Sequence, residues 1–514
     1  MLDPKLEAAV AALHQRQGPA ALRLMRGHLA TMPYDGQALH LLGVACNELG
    51  AKSDAIDWLG RCIAVLPASP LPLAALAGVL IDREEMQAAS RALRRALSLA
   101  PAVDVYLLSI AAALAKTMPA AEALWLRRAL AIDMRNGVAH GNLGICLRRE
   151  ERLDEAGAES RKALAFLPAQ PESLNNLAIL AIRDGRLETA DVWSTRAVAT
   201  RPGFAEATWN RAIARMLAGR FLEAWDDWET RFEVPGAQKH RHPAARRWRG
   251  EDPAGKTVLL FAEQGLGDTI QFSRYAPLVA ARGARAVLAV QARLVRLLKT
   301  LPGVADVVAA DGNEPGYDWN CPLMSLPAVF GTTLGSVPAA VPYLAPQDSG
   351  RLAWRRRLDA GRALRVGLCW QGNPANADDR RRSFPLDVFE GLRDMRDVQF
   401  VAMRVTDEPI PSGWPMLDAA PWQHDMADTA DLLAELDLLI TCDTAVAHLA
   451  GALGRPVWTM LAHAADWRWL QKREDTPWYP TMRLFRQPRA GDWTSVAEEV
   501  KQALAARTTR FAHS

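Results

Sequence analysis

The 514-residue sequence predicts an α-solenoid followed by an α/β region made of two Rossmann-like domains. Three observations carry this reading. Prolines recur at a 34-residue interval through the N-terminal part of the chain. From Gly255 onward, apolar runs of strand length alternate with amphipathic segments of helical period. Between the two parts, Lys256 to Phe272 joins an apolar run to a helix through Gly265 and Gly267, the strand, loop and helix that open a βα unit.

Composition narrows the function classes. Half of the residues are hydrophobic and 23% are charged, as in ordinary folded domains. Lys plus Arg number 61 against 58 Asp plus Glu, a net charge of +3, which argues against nucleic acid or an anionic membrane as the main partner. The six cysteines, Cys46, Cys62, Cys146, Cys321, Cys369 and Cys442, form no CxxC pair and have no histidine spacing suited to zinc. The first residues carry charges where a signal peptide needs an apolar core, and no apolar run is long enough for a membrane helix. A reduced, cytoplasmic, soluble protein is expected.

Pro33, Pro67 and Pro101 lie 34 residues apart, as do Pro168 and Pro202, and Pro101 to Pro168 is 67, two repeats less one residue. That period is the period of tetratricopeptide repeats. Leu42, Gly43, Gly50, Ala55, Leu59, Cys62 and Pro67 give the clearest unit; Ala156, Ala163 and Pro168 repeat it, as do Gly185, Ala190, Ala197 and Pro202. Small residues at Gly43 and Gly144 are expected to admit a second helix carrying Ala55 or Ala156, and each proline ends a unit. Six repeats are expected from about Pro4 to Phe232, irregular between Asp104 and Asn136. The last, with Trp209, Trp225 and Trp228, is expected to pack on the following domain. Asn142, Asn176 and Asn210, also 34 apart, form a candidate ladder for an extended peptide, since each side-chain amide donates and accepts; the alternative is a row of solvated polar positions.

The expected domains are the repeat array over 1–234, a basic linker over 235–254, a first Rossmann-like domain over 255–346 and a second over 347–514. Strands are expected at Val258–Phe261, Ala286–Val290, Ala305–Ala309, Leu364–Trp370, Val398–Met403, Leu436–Cys442 and Val457–Leu461, with a further strand and turn in the segment Tyr317 to Pro327. The corresponding helices are Thr269–Ala281, Leu294–Leu301, Leu386–Leu392, Thr429–Glu435, Thr444–Leu453 and Trp493–Ala505. Pro338 to Pro346 is expected as an extended crossover.

The glycine loop is not a dinucleotide fingerprint, because Ile270 stands at the third glycine position and Gln291 ends the second strand in place of an acid. No phosphate-binding GxxxxGK[ST] loop exists either. In the second block, Asp443 closes a strand and Thr444 opens a helix whose first N–H groups suit a phosphate or ribose oxygen. His448 lies one helical turn on, on the same face. Asp443 as a helix cap and His448 as a core histidine are the alternatives.

These residues bring a resemblance. Leu266-Gly267-Asp268-Thr269 and Asp443-Thr444-Ala445-Val446-Ala447-His448 are similar to the motifs of GT-B glycosyltransferases related to the bacterial heptosyltransferases, over about Gly255 to Ala505. Arg381-Arg382-Ser383-Phe384-Pro385 resembles that family's basic segment, with Arg in place of the commoner Lys; Ala445 replaces a Gly. The resemblance implies a GT-B fold, with Gln264, Gly265, Gly267 and Thr269 on the acceptor side. It implies that Trp370, Gln371, Gly372, Asn373, Arg382, Asp443, Thr444, Ala445 and His448 hold a nucleotide-sugar co-substrate. Repeat arrays fused to such domains resemble protein O-glycosyltransferases, including bacterial flagellin-modifying enzymes, and imply a protein acceptor held by the array.

Asp268 is then the candidate base for a Ser or Thr hydroxyl, with Glu263 in reserve; the alternative for Asp268 is a helix N-cap. No paired acidic motif stands out, so no metal and no further cofactor are expected. The rival readings are a non-catalytic adaptor or chaperone with a degenerate transferase domain, and a transferase acting on a lipid-linked saccharide.

Overall fold

The computed structural model describes residues 6, 8–9, 18–100, 108, 111, 119–237, 241–358, 361, 363–375, 379–404, 410–411 and 413–512. Pro4, Pro101 and Asp104, which bound repeats in the sequence, lie outside the described residues. Two compact units divide the chain: Met1–Leu180 with Arg196–Pro202, and Ala181–Thr195 with Gly203–Ser514.

Tetratricopeptide-like helix pairs build the N-terminal part. Second helices start at Gly18, Lys52, Met86, Pro119, Leu153, Leu187 and Phe221, seven among the described residues where six repeats are expected, and first helices at Gly36, Pro70, Gly137, Pro171 and Ala205. The starts of the second helices are 34 residues apart except from Met86 to Pro119, where the interval is 33. The residue missing from the proline spacing is therefore lost in that interval.

Within the first unit, close packing follows the small residues. A Cβ on Gly144 would lie 2.6 Å from Ser160 Oγ and 3.0 Å from the Ala156 carbonyl oxygen, so the second helix passes directly over it. At Gly43 the neighbour is Leu59, with Cγ 2.6 Å from such a Cβ, rather than Ala55. Asp35 caps its helix by accepting from the Gln37 and Ala38 N–H groups, and Asn136 caps its own by accepting from Ala139.

The second unit holds two parallel sheets, whose inner strands are apolar on both faces, as burial between layers demands. β1 (Thr257–Phe261), β2 (Arg285–Val290), β3 (Asp306–Ala309) and β4 (Trp319–Pro322) form one sheet in the order β3-β2-β1-β4. Leu259 pairs with Val287 on one side and with Asn320 on the other. The second sheet contains β5 (Leu364–Cys369), β6 (Val398–Ala402), β7 (Met416–Asp418), β8 (Leu438–Cys442), β9 (Val457–Leu461) and β10 (Met482–Arg486), in the order β10-β9-β8-β5-β6-β7. Strand order reverses between β1 and β4 in the first sheet and between β5 and β8 in the second. Those reversals open crevices at the carboxyl ends of the strands, where open α/β sheets bind ligands.

Several expected elements change. The helix expected over Thr269–Ala281 is two, Leu266–Ser273 and Ala276–Ala281, because Pro277 cannot continue the first. Leu386–Leu392 is a 3-10 helix. Helix Asp348–Arg357 and strands β7 and β10 were not anticipated. Pro338–Pro346 forms no helix or strand, in keeping with an extended crossover.

The last helix pair, Ala205–Leu217 and Phe221–Trp228, belongs to the second unit. The Trp225 indole N–H donates to the Thr332 carbonyl at 2.8 Å, and that of Trp228 to Met324 at 3.0 Å. The rings of Phe221, Trp225 and Trp228 all meet Trp467. The tryptophan-rich repeat thus packs on the α/β region as expected.

Candidate active site

The site forms where the glycine loop after β1 meets the helix after β8. Gly265 starts helix Leu266–Ser273, and its N–H donates to Asp268 Oδ2 at 2.8 Å. Asp268 is therefore not the N-cap; it sits three residues in and reaches back, the acidic half of a capping box. Thr269 donates to Gln291 Oε1 at 3.0 Å, and Gln291 donates to the Gln264 carbonyl at 2.9 Å, which ties the loop to the end of β2. Gln291, which excluded a dinucleotide fingerprint, serves here as a brace.

Gly267 sets the approach of the two segments. A Cβ there would lie 2.8 Å from His448 Cδ2 and 3.3 Å from Ala445 Cα, so helix Ala445–Ala452 rests against a bare backbone. His448 is buried, its Nδ1 is 3.0 Å from the Tyr479 hydroxyl, and its ring stacks on Trp469 with centroids 5.2 Å apart. Burial, reinforced by Arg468, Arg274 and Arg382, holds its pKa well below the usual histidine value, so the imidazole is neutral.

Asp443 follows β8 and accepts from the Trp469 indole N–H at 2.8 Å. Burial, with the Asp466 carboxylate adding to it, pushes its pKa up to about 6, against the pull of Trp469, Arg382 and Arg468. Thr444 is the N-cap of helix Ala445–Ala452 but makes no side-chain cap. Its hydroxyl lies 3.2 Å from that of Thr441 instead.

Across the β5 and β8 reversal, Trp370 is buried and Gly372 donates to Ser383 Oγ at 2.8 Å. The Phe384 N–H donates to the Trp370 carbonyl at 3.0 Å, which holds the Arg381-Arg382-Ser383-Phe384 segment against the strand end. Gln371 is half-buried and Asn373 exposed, the latter closing a local turn by accepting from Ala375 at 3.0 Å. Arg382 lies 3.5 Å from Asp379 Oδ1, and its Nε has no hydrogen-bond partner among the described residues. Thus Trp370, Gln371, Gly372, Asn373 and Arg382 lie on one side of this reversal and Asp443 and Thr444 on the other.

Two expectations are corrected. Glu263 does not fit the part of a reserve base, since its side chain is only 5% exposed, whereas that of Asp268, also paired with an arginine, keeps 20% exposure. Both its oxygens are held by Arg231, at 2.8 and 3.1 Å, in a pair where each residue is over nine-tenths buried. Arg231 also donates to Ser325 Oγ at 2.6 Å and to Glu229 at 2.9 Å. Because Glu263 follows β1 and Ser325 follows β4, this arginine fills the crevice at the reversal of the first sheet. The asparagine ladder fails at Asn176, which is 1% exposed, donates to Ser160 Oγ at 2.8 Å and accepts from Arg148 at 2.5 Å. Asn142 and Asn210 are half-buried on their helices.

Sequence reasoning missed the 3-10 turn Trp467–Trp469, which holds both site carboxylates. Arg468 bonds Asp268, Gln271 Oε1 at 2.6 Å and Asp466 Oδ1 at 2.8 Å, while Trp469 bonds Asp443. The signal available was two tryptophans flanking an arginine in the loop that follows an expected strand. Among the described residues, no group of three or more His, Cys, Asp or Glu is placed to hold a metal ion.

Fold and site define a chain that joins a tetratricopeptide-like array to a heptosyltransferase-like α/β region: residues 423–482 match the sequence model of Glycosyltransferase family 9 (heptosyltransferase). The matched segment contains Asp443 to His448 and Trp467 to Trp469. Protein FlbA of Caulobacter vibrioides is 30% identical over 316 residues, covering 56% of this chain and 52% of its own. The chain therefore spans about half the length of this curated relative. Among solved structures, MamA from Desulfovibrio magneticus RS-1 is 17% identical over 33% of this chain and 99% of its own, with a TM-score of 0.31. TTC0263, a thermophilic TPR protein of Thermus thermophilus, is 22% identical over 35% of this chain and 98% of its own, with a TM-score of 0.30.

Proposed function

We propose that the chain is a glycosyltransferase that moves a sugar from a nucleotide-sugar to Ser or Thr hydroxyls of a protein brought by the repeat array, with flagellin as the first acceptor to try. The observation that carries this reading is the close approach of Gly267 to His448 and Ala445, which puts the Asp268 loop beside the family-matched helix. In this reading the nucleotide lies at the β5 and β8 reversal, between Trp370–Asn373 and Asp443–Ala445. Arg382 and the N–H groups opening helix Ala445–Ala452 offset the charge that develops on the departing phosphate, without a metal ion. The acceptor hydroxyl oxygen bonds to the anomeric carbon, the bond from that carbon to the phosphate oxygen breaks, and the hydroxyl proton passes to Asp268.

A neutral His448 under Trp469 leaves the positive charge of the pocket to its arginines. Asn142 and Asn210 remain the array's candidate contacts for acceptor main chain. A cytoplasmic setting fits six cysteine thiols that are all buried.

The test has two arms. Titration calorimetry with a panel of nucleotides and nucleotide-sugars is expected to find a binder; no binding at all would favour a non-catalytic adaptor. Intact-mass analysis of flagellin co-expressed with this chain is expected to show a defined mass increment. Asp268→Asn is expected to keep donor binding and lose about 100-fold or more in turnover; unchanged turnover would sink the base assignment.

A further inference from the structure

We propose that Arg468 is a positioning residue of the transfer site, holding Asp268 and its helix in register with the nucleotide-binding segment. The inference rests on the transferase reading above and adds a residue to it. Arg468 lies 200 positions from Asp268 in sequence and is 7% exposed. Its guanidinium donates from three nitrogens to three residues: Nη2 to Asp268, Nε to Gln271 Oε1 at 2.6 Å and Nη1 to Asp466 Oδ1 at 2.8 Å. Asp268 and Gln271 lie three apart on helix Leu266–Ser273, on one face. Asp466 belongs to the same turn as the arginine, so it steadies the guanidinium that reaches across.

The geometry favours orientation over packing. Burying a cation is costly, and apolar residues of similar volume fill such space as well or better when only packing is needed. The apolar wall is already present: the guanidinium lies 4.9 Å from the Trp467 ring centroid and 5.5 Å from that of Phe272. A planar fork with fixed donor directions fixes the carboxylate plane it meets, as an ammonium does not. The next residue, Trp469, donates to Asp443 and stacks on His448. One rigid turn therefore fixes the candidate base and the nucleotide-side carboxylate together.

The test is a double-mutant cycle of Arg468→Met and Asp268→Asn, with Arg468→Lys as a milder variant should the methionine protein not fold. Two readouts are taken on all four proteins: single-turnover transfer rate, and hydrogen exchange of amides 266–273. Arg468→Met is expected to slow transfer by about 100-fold, as misplacement of a reacting group does, with donor affinity within about threefold of wild type. Arg468→Lys is expected to recover part of that loss. In the Asp268→Asn background, Arg468→Met is expected to change the rate by less than about threefold, because it acts through the group already removed.

An equal loss in both backgrounds would overturn the inference in favour of general packing. Should the wild-type protein transfer no sugar, the transferase reading falls and the exchange readout alone decides the role of Arg468. Faster exchange of 266–273 on Arg468→Met in the Asp268 background but not in Asp268→Asn supports it, and the same acceleration in both backgrounds overturns it.

Discussion

Gly267 and Asp443 show how much of the site depends on single atoms. A methyl at position 267 would meet the His448 ring, which cannot yield because it is stacked on Trp469 and bonded to Tyr479. Gly267→Ala is therefore expected to destabilise the second unit by about 1–3 kcal/mol, the usual range for overpacking. Thermal unfolding checks this, with Gly60→Ala as a control, since among the described residues nothing lies within 4 Å of a Cβ there. Asp443 gives a pH dependence with a definite sign. Its pKa rises from the ordinary 3.8 to about 6 on folding. The folded state thus binds its proton more tightly, a contribution fully present below pH 3.8 and lost as pH rises through about 6. Asp443→Asn is expected to gain stability relative to wild type at about pH 7.5 and to gain less at about pH 4.5. Urea denaturation at the two values measures it; a gain independent of pH would show that the Asp443 carboxyl does not titrate as described.

At the scale of elements, the segments that organise the second unit are short and irregular. The 3-10 turn Glu229–Phe232 brings Arg231 between the ends of β1 and β4, and the turn Trp467–Trp469 brings Arg468 to the helix after β1. Arg231→Met leaves Glu263 buried without its counter-charge, so it is expected to cost about 3–5 kcal/mol; the double variant Arg231→Met with Glu263→Gln should recover much of that. Chemical denaturation of both variants decides it. Such elements are hard to see in a sequence. β1, β2, β5, β8 and β9 announce themselves as apolar runs between turn signals, and the 34-residue period marks the helix pairs. β7 spans only three half-buried residues, Met416 to Asp418, too few for any periodicity to register. β10 carries Arg483 and Arg486 among its apolar residues, directly after Tyr479-Pro480-Thr481, which reads as a turn. The pairing of Arg468 with Asp268 joins residues 200 apart and leaves no local pattern. Asn176 shares its period with Asn142 and Asn210 yet turns to Ser160. Period fixes a position on a helix, while the neighbouring helix decides which side chains it covers.

For the whole molecule, the question is where the α/β part begins. The basic, aperiodic stretch after Pro235 suggests a boundary there, but the compact second unit already includes Ala181–Thr195 and everything from Gly203. Phe221, Trp225 and Trp228 are each no more than 3% exposed, and their rings share one cluster with Trp467, Trp478 and Phe272. A large aromatic side chain buries about 150–250 Å². At about 25 cal/mol per Å², three of them contribute on the order of 10 kcal/mol, comparable to the whole stability of a typical domain. The same cut would also remove Arg231 and leave Glu263 buried and unpaired. A chain of residues 235–514 is therefore expected to aggregate or unfold, whereas residues 181–514 fold with a single cooperative transition. Circular dichroism and size-exclusion chromatography on the two chains would show this. Cooperative folding of 235–514 would mean that the tryptophan-rich repeat is an attachment to the α/β region and not part of its core.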